Sequence, residues 1–146
     1  MDVRETLKSI YLFRDATPRE LAAVAAIAER KDIIAGQQVT RPGESPDALF
    51  VVLSGTVDVI LKDQDIPLGT IGSGQVAGVM AFFDRSERMA SAVTRETTHL
   101  LRLPFDKLEK VLADNPNLAI GFYRQACIFL ARQIRELAPE LHRRYF

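Results

Sequence analysis

The stretch 74–91, GQVAGVMAFFDRSERMAS, combines residue types that suit the binding of a small anion. Gly78 allows the backbone to come close to a ligand, because it has no side chain in the way. If residues 79–81 begin a short helix, their amide groups lack acceptors within that helix and can face an anion. Arg88 adds a fixed positive charge and a planar set of donors that matches a phosphate. The stretch is therefore predicted to be a cradle for one phosphate group.

The size and charge of the chain narrow the classes of protein to which it can belong. It has 146 residues, of which 47% are hydrophobic, which is enough for one packed domain spanning 1–146. Lys+Arg and Asp+Glu both number 19, so there is no basic field that would attract nucleic acid or anionic lipid. We therefore expect that this chain makes no direct contact with nucleic acid.

The sequence also predicts the compartment. The N-terminal segment MDVRETLKSIYLF carries charges throughout and has no apolar core of signal-peptide length. No window approaches the roughly 18–20 apolar residues of a membrane span. Cys127 is the only cysteine, so an intrachain disulfide or a Cys-based metal cluster is not possible. These features predict a cytoplasmic protein that does not contact the membrane.

Signatures of catalysis and of metal binding are missing from the sequence. It contains no nucleophile elbow, no glycine-rich loop ending in Gly-Lys-Ser/Thr, and no carboxylate pair set in apolar sequence. His99 and His142 are far apart and do not cluster with cysteine and carboxylates. We expect a protein that is not an enzyme, has no catalytic residues, holds no metal and requires no cofactor.

Residues 1–31 are predicted to form helices. Alternating charged and apolar residues indicate a first short helix over 2–12. The tetrapeptide TPRE at 17–20 marks a second start, with a threonine that can cap, a proline that fits the first helical position and a glutamate that completes a capping box. Apolar residues at helical spacing continue this helix to about Arg30.

Residues 32–103 change to the alternation and turn signals of short strands. The predicted strands are 33–34, 38–40, 48–54, 56–62, 66–71, 90–95 and 99–103, with a turn at 63–65. Short strands at close spacing favour a small β-barrel or double-stranded jelly roll. The chain is therefore predicted to be mainly β with flanking helices.

Residues 104–138 are again predicted to be helical, with a break at Asn115-Pro116. In the long final helix, which Pro139 limits, apolar residues recur at alternating spacings of three and four, the heptad pattern of helices that pair. This heptad stripe consists of Ile120, Tyr123, Cys127, Leu130, Ile134, Leu137 and Leu141. A second set that can pack on the barrel consists of Leu118, Phe122, Ala126 and Phe129. We therefore expect a homodimer formed through this helix.

Three local patterns, taken with the order of the elements, resemble a known family. The segment RPGE at 41–44 and the segment DALFVVLSG at 47–55 form a turn-strand-glycine signature. The segments GQVAG at 74–78 and RMAS at 88–91 are similar to the two ends of a phosphate-binding cassette. Together they resemble the cyclic-nucleotide-binding domain, found in the sensor half of bacterial cAMP receptor proteins and in regulatory subunits of cAMP-dependent kinases. The resemblance extends over about 12–137.

The resemblance implies a regulatory, ligand-sensing domain that binds a cyclic nucleotide such as cAMP and signals through its C-terminal helix. The residues that it places at the ligand are Gly78, Val79, Met80, Ala81, Arg88, Met89, Ala90 and Ser91. Where the family reads Phe-Gly-Glu, this chain reads AGV at 77–79, so it lacks the glutamate that accepts a hydrogen bond from the ribose 2′-hydroxyl. The loss of such a bond costs about 1.5–3 kcal/mol.

Two interpretations of the sequence therefore stay open. In the first, the chain senses a cyclic nucleotide or another phosphate-bearing small molecule through Gly78, Arg88 and Ser91. In the second, it is a structural or protein-interaction and dimerisation module that keeps the fold and has lost canonical ligand binding. Arg88 would then pair with a neighbouring carboxylate such as Asp84 or Glu87.

Overall fold

The computed structural model describes residues 2–61, 68–137 and 143 of the chain. The helices are α1 (Val3–Lys8), α2 (Pro18–Ile27), α3 (Val79–Asp84), α4 (Phe105–Asp114) and α5 (Pro116–Leu137), with a 3₁₀ turn at Tyr11–Phe13. The strands are β1 (Glu29–Ile33), β2 (Gln38–Thr40), β3 (Ala48–Ser54), β4 (Val57–Leu61), β5 (Gly69–Ile71), β6 (Val76–Ala77), β7 (Ala90–Thr94) and β8 (Thr98–Pro104). The predicted turn at 63–65, the start of the strand predicted at 66–71, Pro139, Leu141 and His142 lie outside the described residues.

Helix α2 begins at the predicted capping box. The Thr17 hydroxyl accepts a hydrogen bond from the Glu20 amide at 3.2 Å, and the Glu20 carboxylate accepts one from the Thr17 amide at 2.9 Å. The predicted end of the helix near residue 30 was wrong, because α2 ends at Ile27 and Glu29 opens β1. Glu29 lies opposite Arg102 of β8, and their side chains form an ion pair at 3.2 Å. Pairing with a neighbouring strand has here overridden the helical periodicity.

Within the described residues, the eight strands form two antiparallel sheets of four. One sheet has the order β1-β8-β3-β6, and the other has the order β2-β7-β4-β5. Strands β3 and β4 follow each other in the chain but belong to different sheets, so the turn at Gly55 carries the chain from one sheet to the other. Two facing sheets that exchange consecutive strands confirm the predicted jelly roll with flanking helices.

Strand β3 is buried on both of its faces. All of its side chains except that of Ser54 are buried, and successive side chains of a strand point in opposite directions. On one face, Leu49, Val51 and Leu53 belong to the main hydrophobic core, together with residues of the helices. On the other face, Phe50 and Val52 belong to a second, smaller apolar cluster with residues of β4, β7 and β8. The second cluster lies between the two sheets.

Helix α5 uses its faces differently, as its two apolar sets predicted. The side chains buried against the rest of the domain are Leu118, Phe122 and Ala126. Most of the heptad stripe is exposed instead, at 66% for Ile120, 45% for Tyr123, 43% for Ile134 and 81% for Leu137, whereas Leu130 is half-buried. Among the helices in the described part of the chain, none is long and apolar enough to cross a membrane.

Candidate ligand-binding site

A cavity of about 530 Å³ lies between the two sheets and is bounded by α3 and α5. This volume is within the range of about 300–1,000 Å³ that is usual for small-molecule sites. The residues that were predicted to contact a ligand all line it, namely Gly78, Val79, Met80, Ala81, Arg88, Met89, Ala90 and Ser91. The fold therefore gathers the predicted residues around one space, while their contact with a ligand stays a prediction.

Gly78 occupies a position between β6 and α3 that suits only glycine. Its φ angle is +97°, in the left-handed region of backbone conformation. A Cβ at this position would lie 3.3 Å from the carbonyl oxygen of Ala48 and 3.3 Å from Nη1 of Arg88. Because Gly78 has no side chain, the Arg88 guanidinium lies directly against the backbone at the start of α3.

Arg88 is half-buried in the wall of the cavity. Its Nη2 donates a hydrogen bond to the Ala48 carbonyl oxygen at 3.2 Å, and its guanidinium carbon lies 5.9 Å from the centre of the Phe50 ring. Burial lowers the pKa of Arg88, and the charges of Asp47 and Glu44 partly offset this shift. Among the described residues, no carboxylate lies within 4.0 Å of this guanidinium. The pairing of Arg88 with a neighbouring acid, which the second interpretation required, is therefore not found.

The turn that contains the RPGE segment holds the backbone of Arg88. The Gly43 amide donates to the Arg88 carbonyl oxygen at 2.9 Å, and the Arg88 amide donates to the Glu44 carbonyl oxygen at 3.0 Å. These two hydrogen bonds place the arginine at the cavity wall. A segment that was identified only as a family signature thus positions the cationic side chain of the site.

The position that carries a glutamate in the resembled family is packed in this chain. Val79 is only 5% exposed and belongs to the main hydrophobic core. Met80 and Met89 are exposed instead, at 63% and 70%. Since a valine side chain cannot accept a hydrogen bond, this part of the wall offers a ligand hydroxyl no side-chain partner.

Ser91 has a partner that the sequence did not reveal. Its hydroxyl accepts a hydrogen bond from the side-chain amide of Gln38 at 3.0 Å. Gln38 lies on β2 and Ser91 on β7, which are paired antiparallel in one sheet. The two residues are 53 positions apart, so only the pairing of these strands brings them together.

Helix α5 supplies a wall of the cavity that was also missed. Four of its residues line the cavity, namely Phe129, Leu130, Gln133 and Leu137. Two of these, Leu130 and Leu137, were assigned to the heptad stripe alone, and the structure places them at the cavity as well. Their spacing along a helix was a signal for a common face, but the sequence could not indicate what that face would cover.

The family of this chain follows from comparison with known proteins. The sequence profile of the family described as the cyclic nucleotide-binding domain matches residues 30–115, which is more than half of the chain. The chain belongs to this family. The two-sheet fold with flanking helices agrees with this membership.

The relatives include both regulators and enzymes. The cyclic AMP receptor protein of Thermus thermophilus is 33% identical over 138 residues, which cover 92% of this chain and 62% of that protein. A crystal structure of the catabolite activator protein of Thermus thermophilus matches with a TM-score of 0.76 and 29% identity, covering 90% of this chain and 62% of that chain. Glutaminase 2 of Bradyrhizobium diazoefficiens is 29% identical over 135 residues, which cover 91% of this chain and 21% of that protein. The chain thus spans about three-fifths of the first relative and about a fifth of the enzyme.

Proposed function

We propose that this chain is a non-enzymatic, ligand-sensing module of a regulator. A small anionic ligand, either a cyclic nucleotide or another phosphate-bearing molecule, binds in the cavity with its anionic group at Gly78 and Arg88. The state of the site is then passed on through α5. The observation that supports this proposal best is the Arg88 guanidinium, half-buried in the cavity wall without a carboxylate within 4.0 Å in the described chain.

A half-buried cation without a close ion-pair partner is costly to keep in a folded protein. Burial removes water from the guanidinium, and the lowered pKa of Arg88 reflects this loss. Arginine offers five donors, of which the structure assigns one, from Nη2 to Ala48. A phosphate in the cavity would accept from the remaining donors and would place a negative charge in direct contact with the guanidinium. A bound anion would therefore offset the free-energy cost of keeping the Arg88 guanidinium half-buried in the cavity wall.

Helix α5 is the natural element to report the state of the site. It lines the cavity through Phe129, Leu130 and Gln133, while Ile120, Tyr123 and Ile134 of its heptad stripe are exposed. A ligand that fills the cavity contacts this helix directly. A ligand acts as a switch only if it binds one position of the helix more tightly than another. Contact with α5 is what would make such a difference possible.

The effect of Val79→Glu on cAMP binding tests whether the site keeps the groups that bind the phosphate and lacks only the acceptor for the ribose hydroxyl. We expect the variant to bind cAMP about ten- to a hundredfold more tightly than the wild type, because a carboxylate at this position can accept from the ribose 2′-hydroxyl. We also expect a lower free energy of unfolding without ligand, since Val79 is packed in the core. Isothermal titration calorimetry and urea unfolding measure the two effects.

Val79→Met is the matched control, because it changes the packing at the same position without adding an acceptor. It should not gain affinity for cAMP. If wild type and Val79→Glu both give no heat with millimolar cAMP, the cyclic-nucleotide version of the proposal is contradicted. If no anion binds while the chain still dimerises, the second interpretation, a structural and dimerisation module, is favoured.

We further propose that the chain forms a homodimer through the heptad stripe of α5. The stripe is exposed and apolar along most of the helix. Beside it, a groove of about 670 Å³ between α3 and α5 is lined mainly by apolar side chains, among them Phe83, Tyr123 and Leu130. Pairing with the same helix of a second copy would remove this apolar surface from water.

Ile134→Glu is expected to convert the dimer into a monomer at tens of micromolar, because it puts a carboxylate on the stripe. Ile134 is 43% exposed in the single chain, so its replacement should leave the fold intact. Size-exclusion chromatography with light scattering measures the mass. Arg132→Glu is the control, since Arg132 is exposed on α5 but lies off the stripe.

Cys127 allows a second measurement of the same dimer. It is exposed and lies on the stripe, so two parallel, in-register helices would bring the two thiols close together. Mild oxidation with diamide should then yield a covalent dimer from the wild type and none from Cys127→Ser. A wild type that is monomeric at tens of micromolar and gives no cross-link would contradict the proposed dimer.

A further inference from the structure

The interior of the cavity is made of hydrocarbon. Its walls are the inward faces of both sheets, which include Phe50, Val52, Val57, Val59, Ile71 and Leu100. Several of these side chains are buried and form the second apolar cluster of the protein. Helix α5 adds Phe129 and Leu130 on the open side. A ligand that fills this space exchanges water for apolar contact over most of its surface.

The charges of the cavity are separated by depth. Among the described residues that line it, the charged ones are Asp84, Glu87 and Arg88. Both acids are exposed, whereas Arg88 is half-buried against Gly78 and Ala48. An anionic group is therefore attracted to the wall at Arg88 and is repelled by the acidic rim outside it.

The inner hydroxyl groups of the wall already have partners. The Thr40 hydroxyl donates to the carbonyl oxygen of Ala90 at 3.4 Å, and the Ser91 hydroxyl accepts from Gln38 at 3.0 Å. Val79 contributes no polar atom from its side chain. Each of these hydroxyl groups has thus already used one of its hydrogen bonds, so a ligand with several hydroxyl groups would find fewer partners on this side of the cavity than it has in water.

From this distribution we propose that the ligand is an amphiphilic anion with a single phosphate or carboxylate head at Arg88 and a hydrocarbon body free of hydroxyl groups. The proposal rests on the proposed function and specifies the ligand of the same site. The head meets the one cationic side chain among the described lining residues, and the body lies along Phe50, Val52 and Leu100. A cyclic nucleotide satisfies the first requirement but brings a ribose hydroxyl to Val79.

The two ligand classes differ in how their affinity depends on structure. Each methylene transferred from water to the apolar interior raises the affinity about fourfold. The unpaired ribose hydroxyl lowers the affinity of a cyclic nucleotide about ten- to a hundredfold. An alkyl phosphate with a chain of sufficient length should therefore bind more tightly than cAMP.

Calorimetric titration of the wild type with n-hexyl phosphate, n-octyl phosphate, octanoate, 1-octanol and cAMP tests the proposal. We expect octyl phosphate to bind about fifteenfold more tightly than hexyl phosphate and at least tenfold more tightly than cAMP. The neutral alcohol should bind at least tenfold more weakly than the octyl anion that binds best. If octyl phosphate binds more tightly than octanoate, the anionic group of the ligand is a phosphate; if octanoate binds more tightly, it is a carboxylate. Either result supports the proposal.

Variants locate the binding in the cavity. Arg88→Gln should weaken octyl phosphate at least tenfold, whereas Arg95→Gln, which removes an arginine that does not line the cavity, should leave it unchanged. Ala92→Leu narrows the interior and should weaken octyl phosphate more than hexyl phosphate. If Arg88→Gln does not fold, Ala92→Leu and the chain-length series of the wild type still decide the question.

Three results would overturn the proposal. If cAMP binds as tightly as octyl phosphate and depends on Arg88, the inference fails and the proposed function stands. If octyl phosphate binds Arg88→Gln as well as the wild type, its binding is unspecific apolar adsorption. If none of the anions binds below millimolar concentration, both the inference and the proposed function fail.

Discussion

Arg88→Met is expected to weaken anion binding a hundredfold or more while leaving the stability of the ligand-free protein nearly unchanged. The loss of binding follows because the guanidinium supplies both the charge and the donors for the anionic group, and hydrogen bonds to charged groups contribute about 1.5–3 kcal/mol each. Titration with octyl phosphate measures it. For a nucleotide, the loss of affinity is measured by titrating cAMP into Val79→Glu with and without Arg88→Met. The Val79→Glu variant is used because its expected higher affinity for cAMP makes a hundredfold decrease measurable.

The small effect on stability has a separate physical reason. Burial lowers the pKa of Arg88, which means that holding the charged guanidinium in the folded state costs free energy. The charges of Asp47 and Glu44 offset part of that cost, but no carboxylate within 4.0 Å in the described chain forms an ion pair with the guanidinium. Methionine removes the charge and loses one hydrogen bond to Ala48, so the free energy of unfolding should change by less than about 1 kcal/mol.

The control is Arg30→Met, which breaks an exposed pair with Asp32 and should alter neither binding nor stability appreciably. A loss of several kcal/mol of stability in ligand-free Arg88→Met would contradict the functional reading of this residue. It would indicate that the arginine is retained to hold the cassette in place rather than to bind an anion.

Gly55→Ala is expected to cause the largest loss of stability of any conservative substitution considered for this chain, about 3–5 kcal/mol. Gly55 has a φ of +98°, and a Cβ there would lie 2.5 Å from the Thr98 hydroxyl and 2.7 Å from the carbonyl oxygen of Thr97. Thr98 is fully buried, so it has little room to move away. The turn at Gly55 also carries the chain between the sheets, and a shift there would disturb both.

Gly36→Ala separates the steric part of this effect from the backbone part. Gly36 has a similar φ of +80°, but a Cβ there would have no atom within 4 Å. Only the conformational penalty remains, so we expect a loss of about 1 kcal/mol. Urea unfolding of both variants measures the difference. Equal losses would show that contact with Thr97 and Thr98 is not what requires the glycine.

The fold could be predicted because its signals are local. The capping box at 17–20, the alternation along 48–54 and the spacing of apolar residues in the final helix each depend on residues close in the sequence. The end of α2 could not be predicted from its helical periodicity. The residues that follow it pair with β8 instead, and Glu29 forms an ion pair with Arg102 of that strand. Contacts between distant residues override local preference, and a sequence does not list those contacts.

The candidate site divides in the same way. Gly78 and Arg88 could be identified because a phosphate requires a close backbone and a cation, and both lie within one stretch of 18 residues. Phe129 was predicted to pack on the barrel, but the sequence did not show that Phe129 and Gln133 line the cavity or that Gln38 donates a hydrogen bond to Ser91. They depend on which strands pair and on where α5 crosses the barrel.

The sequence by itself therefore determined the fold class, and it predicted the two ends of the cassette and the lack of a side-chain acceptor at Val79. Those properties can be inferred from residue types and from short spacings in the sequence, because only a few residue types provide the required chemical groups. Only the tertiary structure decided that Arg88 has no acidic partner within 4.0 Å among the described residues, that the cavity interior is apolar and that α5 lines it. These properties depend on how segments distant in the sequence pack together, because the environment of a charged side chain is formed by residues from several such segments.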